Sequence, residues 1–167
     1  MATPLFISRT DLVKKTIVNG NVDTDKFIQF IEIAQVIHIQ NYLGTKLYDK
    51  ISDEIEAGTI SGDYLELLKD YIQPMLVHYA MSEYVQVAAY EVKNNGLLKH
   101  RSENADTPTT DEVDSLSVKY LRWAKFYTER FMRHMAFNAP SKFPEYNQNI
   151  NDDMHPDRNN NFTGWNL

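Results

Sequence analysis

Cysteine is absent from this 167-residue chain. That excludes a disulfide framework, thiolate metal sites and a cysteine nucleophile together. Long apolar runs are missing as well, since none approaches the ~20 residues needed to span a bilayer. Residues 1–9 lack the basic-then-apolar pattern of a signal peptide, so folding in a cytoplasm is the expectation. Glycine is scarce, and its six copies are scattered over helix ends, turns and the C-terminal stretch rather than gathered into a phosphate-binding loop. No His-Glu-x-x-His or Glu-x-x-His pair occurs, which argues against zinc peptidase and ferritin-like di-iron chemistry. Serines lack a nucleophile-elbow context. Positive charge is in short supply, with 17 Lys and Arg against 23 Asp and Glu, a net charge of -6. Such acidity suits general nucleic-acid binding poorly, although it does not forbid DNA passing through a channel where sticking would be a disadvantage.

What is present belongs to a globular domain. Hydrophobic residues make up 43% of the chain and charged ones 24%, close to the globular average. A single domain of this length buries roughly 70% of its unfolded surface and needs no metal or disulfide staple. Ten Tyr, eight Phe and two Trp are available for a core, an interface, or both.

The periodicities predict an all-α fold, a bundle of about five helices. Ser8 or Thr10 can cap a short first helix reaching Ile17, and Asn19-Gly20-Asn21 breaks it. The second helix, 25–43, carries Phe27, Phe30, Ile31, Ala34, Ile37 and His38 at helical spacing, with Ile28, Ile33, Val36, Ile39 and Leu43 as a second set. Gly44 then makes a helix-Gly-helix corner, and Thr45 opens a third helix, 46–57, closed by Gly58. A central helix, 62–92, has two apolar faces, and Pro74 should either kink it or mark the boundary between two helices. Residues 93–110 read as a long interhelical loop or a small hairpin. Thr109 and Glu112 form a capping box for a fifth helix with Val113, Leu116, Tyr120, Trp123, Tyr127, Phe131 and Met135 along one side.

After Asn138 prolines and asparagines accumulate, dividing the chain into a helical domain, 1–138, and an extended tail, 139–167, poorly ordered in the isolated protein. Phe143, Tyr146, Phe162 and Trp165 are spaced along the tail as potential anchors for a partner. Asp152, Asp153, His155 and Asp157 have the spacing of a weak divalent-metal site, against which stands the plainer reading of a solvated acidic tail. His38, His78 and His134 lie among apolar neighbours and read as packing residues. Charge is unevenly spread: 49–70 is mainly acidic, whereas the fifth helix carries Lys119, Arg122, Lys125, Arg130 and Arg133, and the loop adds Lys93, Lys99, His100 and Arg101. Opposed patches could meet on neighbouring copies, or each could be an ordinary solvated face.

Three stretches carry a family likeness: Phe6-Ile7-Ser8-Arg9-Thr10-Asp11-Leu12, Ile39-Gln40-Asn41-Tyr42-Leu43-Gly44-Thr45, and Leu47-Tyr48-Asp49-Lys50-Ile51. With the order of elements over 5–138, they resemble the helical head-to-tail connector, or adaptor, proteins of tailed bacteriophages, in wording closest to those of crAss-like phages. The resemblance implies a structural virion protein without catalysis or cofactor, made in the host bacterial cytoplasm and placed at the head-tail neck. It implies a ring, usually of twelve copies, between the portal protein and further neck or tail proteins. Double-stranded DNA would pass through the lumen without sequence-specific binding, and no membrane is involved. The interhelical loop would face the channel or a neighbouring ring, and the tail an adjoining protein. Apart from the resemblance, a small helical interaction module or regulator fits the same residues, and an enzyme using the tail cluster with a divalent ion is a third reading.

Overall fold

A computed structural model describes residues 4–15, 24–88, 90–93, 96–99 and 109–159. The protein is an all-α bundle with one small hairpin. Helix α1 (Arg9–Lys15) is followed by α2 (Thr24–Ala34), which runs through a π-helical segment (Gln35–Ile39) into α3 (Gln40–Glu56). Helix α4 (Gly62–Leu67) likewise runs through a π segment (Leu68–Ile72) into α5 (Gln73–Ala88). Strands β1 (Tyr90–Lys93) and β2 (Gly96–Lys99) pair antiparallel, Tyr90 opposite Lys99, before the long α6 (Thr110–Lys142) and a 3-10 turn (Pro144–Asn147). Among the described residues, no helix is long and apolar enough to cross a membrane.

Local chemistry explains the boundaries. Ser8 accepts from the Asp11 N–H at 3.2 Å while the Asp11 carboxylate accepts from Ser8 N–H and O–H, which caps α1. Those bonds from Ser8 hold the Asp11 carboxyl below its ordinary range. The capping box of α6 is in place, with Thr109 Oγ1 accepting from Glu112 N and Glu112 Oε2 accepting from Thr109 N. Pro74 does not break its helix. The chain takes a π turn just before it, in which the Gln73 N–H reaches back to the Leu68 carbonyl, and this wider turn accommodates the missing proline donor. Gly44 is the predicted corner, at φ 73° and ψ 164°, within what is otherwise continuous helix.

Helix α5 is the centre of the bundle: it packs against both α6 and α2, which barely touch each other. Its buried side chains include Met75, Leu76, Tyr79, Ala80 and Met81, and they meet Phe27, Ile31, Tyr120 and Phe131 in one continuous core. Two buried glutamines fasten the N-terminal segment to that core. Gln35 Oε1 accepts from Phe6 N–H while its Nε2 donates to the Pro4 carbonyl and the Tyr48 hydroxyl, each at 2.9 Å. Gln73 Nε2 donates to the Phe6 carbonyl at 2.9 Å. Both polar groups of the buried Phe6 backbone are thereby satisfied.

Two expectations need correction. The boundary set at 138/139 is not a boundary in the fold, because α6 continues through Pro140 to Lys142 and residues up to 159 return along the bundle. Composition misled here: a proline- and asparagine-rich segment needs only a few well-placed anchors to pack. Secondly, Ile33, Val36 and Ile37 are exposed, at 41, 51 and 57%, whereas Ile39 and Leu43 are buried. The π segment inserts an extra residue into the helical repeat, so the buried line passes from Ala34 and Gln35 to Ile39 rather than to Ile37.

Candidate interaction surfaces

The outer face of α6 joins cations and aromatics. Lys119, Arg122, Phe126, Arg130, Arg133 and Phe137 follow one another at spacings of three and four, which places them on one side of the helix, and all are exposed. Phe126 is 62% and Phe137 85% exposed, unusual for phenylalanine. Trp123 lies beside them, with the Lys119 ammonium 5.2 Å from its ring centroid. The Arg130 guanidinium stands over Tyr71 at 4.9 Å, and Arg133 pairs with Glu129 at 3.4 Å. These contacts hold the cations near the aromatic surface while leaving them wet.

An acidic surface lies on α3, α4 and the π segment that follows α4. Asp49, Asp53 and Glu56 line one side of α3, and Asp63, Glu66 and Asp70 one side of α4 and its π segment, all exposed. Burial pushes the Asp49 carboxyl up, and repulsion from Asp53 adds to it. Some of this charge is answered within the chain: Lys142 reaches Asp63 at 2.7 Å and Lys50 reaches Glu54 at 3.0 Å. The exposed Ile33 of α2 and Val36 and Ile37 of the following π segment add a separate aliphatic face.

Three histidines, His38, His78 and His134, are packed. His38 stacks on Tyr79 at 3.9 Å and meets Glu83 at 3.4 Å; His78 Nδ1 donates to the Pro74 carbonyl at 2.6 Å and lies against Tyr127; His134 lies 4.1 Å from Tyr71. Burial is the largest influence on each and holds all three below the ordinary imidazole value.

Of the tail anchors, Phe143 and Tyr146 are core residues of their own subunit, 1 and 4% exposed, and so are taken up in this chain rather than offered to a partner. Phe143 meets Tyr64 edge-on at 5.3 Å and Tyr146 meets Phe131 at 6.3 Å, while the Tyr64 hydroxyl donates to Glu145 at 2.7 Å. Phe162, Trp165 and Arg101 lie outside the described residues, as do the side chains of Lys93 and Lys99, whose backbones are in the hairpin. Asp152, Asp153, His155 and Asp157 do not converge: among the described residues no three His, Cys, Asp or Glu are placed to share an ion. Asp153 instead pairs with Lys46 at 3.6 Å and accepts from Ile150 N–H, and Asp157 accepts from Asn159 N–H.

Sequence reasoning missed the return of the tail onto the Gly44 corner. Thr45 N–H donates to the Met154 carbonyl and Asp157 N–H to the Asn41 carbonyl, each at 2.9 Å, and Met154 N–H donates to Thr45 Oγ1 at 2.9 Å. Pro156 is buried between these bonds, against Gly44. Arg158 closes the loop, donating to the Tyr146 carbonyl at 2.8 Å and stacking 4.7 Å above its ring. The only local signal was a lone proline in a polar run.

No curated protein and no solved structure matches the chain. The profile of a family described as of unknown function, DUF6712, matches residues 39–154, from the end of the first π segment to the methionine that meets Thr45. With well over half of its length matched, the chain belongs to the DUF6712 family of unknown function.

Proposed function

We propose that this protein is a non-catalytic assembly subunit, a head-to-tail adaptor that forms a ring between the portal and the neck or tail proteins of a bacteriophage. The observation that carries the reading is the pair of unlike faces on one subunit, cationic and aromatic on α6, acidic on α3 and α4. A heterologous contact requires such a pair, because each copy must present one surface and receive the other. Exposed aromatics framed by arginines are the residue types that dominate interface energies, while the charges set register and encounter rate. The sequence likeness over 5–138 supports a ring of this kind between portal and neck proteins, with DNA passing through the lumen.

The test is mass by light scattering, first alone and then with a portal ring. A ring-sized mass, or binding to the portal in a fixed multiple, is expected for the native chain. The triple variant Arg122→Glu, Arg130→Glu, Arg133→Glu should keep its helical circular dichroism and lose that assembly. A native chain that stays a monomer and ignores the portal refutes the adaptor reading and leaves a helical interaction module in its place.

A further inference from the structure

We propose that the crevice between the end of α6 and the 3-10 turn is the seat of the Phe162 ring, which fastens the chain beyond Asn159 to its own subunit. The seating is complete within a single copy and does not depend on a ring.

The crevice is a product of short side chains. Ala136, Ala139 and Pro140, set between Met132 and the Tyr146 turn, leave a hollow of about 200 Å³ that Arg158 also lines. An apolar cavity of about 150 Å³ takes up benzene, so this one has room for a single phenyl ring. Its walls suit an aromatic guest, because thioethers pack favourably against ring edges. Arg158 adds a cation that is already fixed in place. It donates to the Tyr146 carbonyl and to Asn147 Oδ1, each at 2.8 Å, with its guanidinium 4.7 Å from the Tyr146 ring centroid. A second ring entering the hollow brings its negative face to that fixed charge.

The chain itself carries the guest that fits. Phe162 stands four positions after Arg158, and at ~3.3 Å per residue that link reaches no further than roughly 13 Å. The ring is therefore tethered beside a crevice of which Arg158 forms one wall. The chain is also turning as it leaves: Asn159 N–H donates to the Asp157 carboxylate at 2.9 Å, two residues back. Asn160 and Asn161 follow, of the residue type that continues such a turn most readily. So short a link makes the docking intramolecular, at an effective concentration on the order of millimolar. Trp165 carries a larger ring and stands three residues further on. Phe143 and Tyr146, the earlier aromatics of the same stretch, are both buried in their own subunit, and Phe162 extends that series.

Methionine methyl groups report on the crevice in the native full-length chain. The six methionines are labelled with 13C at the methyl, and contacts to aromatic protons are read as nuclear Overhauser effects. Contacts from Met132 and Met135 to the Phe162 ring are expected. Phe162→Ala should remove them and shift both methyl signals, while the signal of Met81, buried in α5, stays in place and shows the fold intact. Ala136→Leu, which fills the hollow from α6 itself, should lose the same contacts. Trp165→Ala should change neither signal. Methyl signals indifferent to Phe162→Ala overturn the proposal. Contacts to the Trp165 ring instead overturn the choice of Phe162 as occupant. A second sample mixes methyl-labelled chains deuterated at phenylalanine with unlabelled chains. Contacts appearing there come from another copy and overturn seating within the subunit.

Discussion

Replacing Gly44 by alanine separates two costs that the corner combines. The first is conformational: φ 73° with ψ 164° lies in a region that only glycine occupies freely, and forcing an alanine into it costs about 1–3 kcal/mol. The second is steric. The new methyl would sit 2.6 Å from Pro156 Cδ, 2.8 Å from its Cγ and 3.0 Å from the Met154 carbonyl oxygen, and a proline ring cannot swing aside. Residues 154–157 must therefore leave, losing three hydrogen bonds of about 0.5–1.5 kcal/mol each, partly offset by recovered chain entropy. The net loss should be ~2–5 kcal/mol for Gly44→Ala and ~1 kcal/mol for Pro156→Ala alone. In the double variant Pro156→Ala should cost almost nothing further, since its contact is already gone. Urea denaturation of the four proteins measures this as a coupling of about 1 kcal/mol, read from shifts in midpoint at constant slope. Additivity to within ~0.4 kcal/mol would refute the reasoning, leaving backbone strain as the whole effect.

Gln35→Leu keeps the volume but strands the buried Phe6 N–H, the Pro4 carbonyl and the Tyr48 hydroxyl. We expect a loss of about 2–4 kcal/mol and a melting temperature lower by roughly 5–15 °C, checked by calorimetry. Acid should destabilise the protein through His38, His78 and His134. Each binds its proton less readily folded than unfolded, so stability is complete above the unfolded value of 6.5 and falls as pH drops through that value toward the lower folded ones. Denaturation midpoints at successive pH values, compared with those of a His38→Gln, His78→Gln variant, would show the slope flattening when two of the three groups are removed.

Much of the bundle was legible in the sequence because its signals are local. The Thr109–Glu112 box, the Ser8 cap, the Gly44 corner and the Pro74 irregularity each depend on residues within about one helical turn. The all-α fold follows from the same periodicities. The features that were not legible are those that depend on distant partners. Gln35 and Gln73 look like ordinary polar positions on helices until the backbone of Phe6 arrives between them. Pro156 looks like a tail proline until Gly44 leaves room for it. The π segment of α2 turned a line of isoleucines outward by one residue's rotation, which no α-periodic pattern could anticipate. The cationic run on α6 was visible in the sequence, but its alignment with Phe126 and Phe137 became clear only with the helix continuous to Lys142.

The double clamp on Phe6 also has a temporal consequence. It joins Phe6 to Gln35 and Gln73, 29 and 67 positions further on, so both bonds close long loops of chain. Helices α5 and α6 meet along much of their length, with Tyr79 reaching Thr128 and Ser117 reaching the Ser82 carbonyl, and can assemble without the N-terminus. Clamping of the Phe6 segment is therefore expected late in folding, after α5 and α6 have met. Interactions absent from the rate-limiting barrier govern the rate of opening rather than of folding. Loosening the clamp should shorten the life of the native state while leaving its formation nearly as fast, so the Phe6 segment acts as the last to engage and the first to let go.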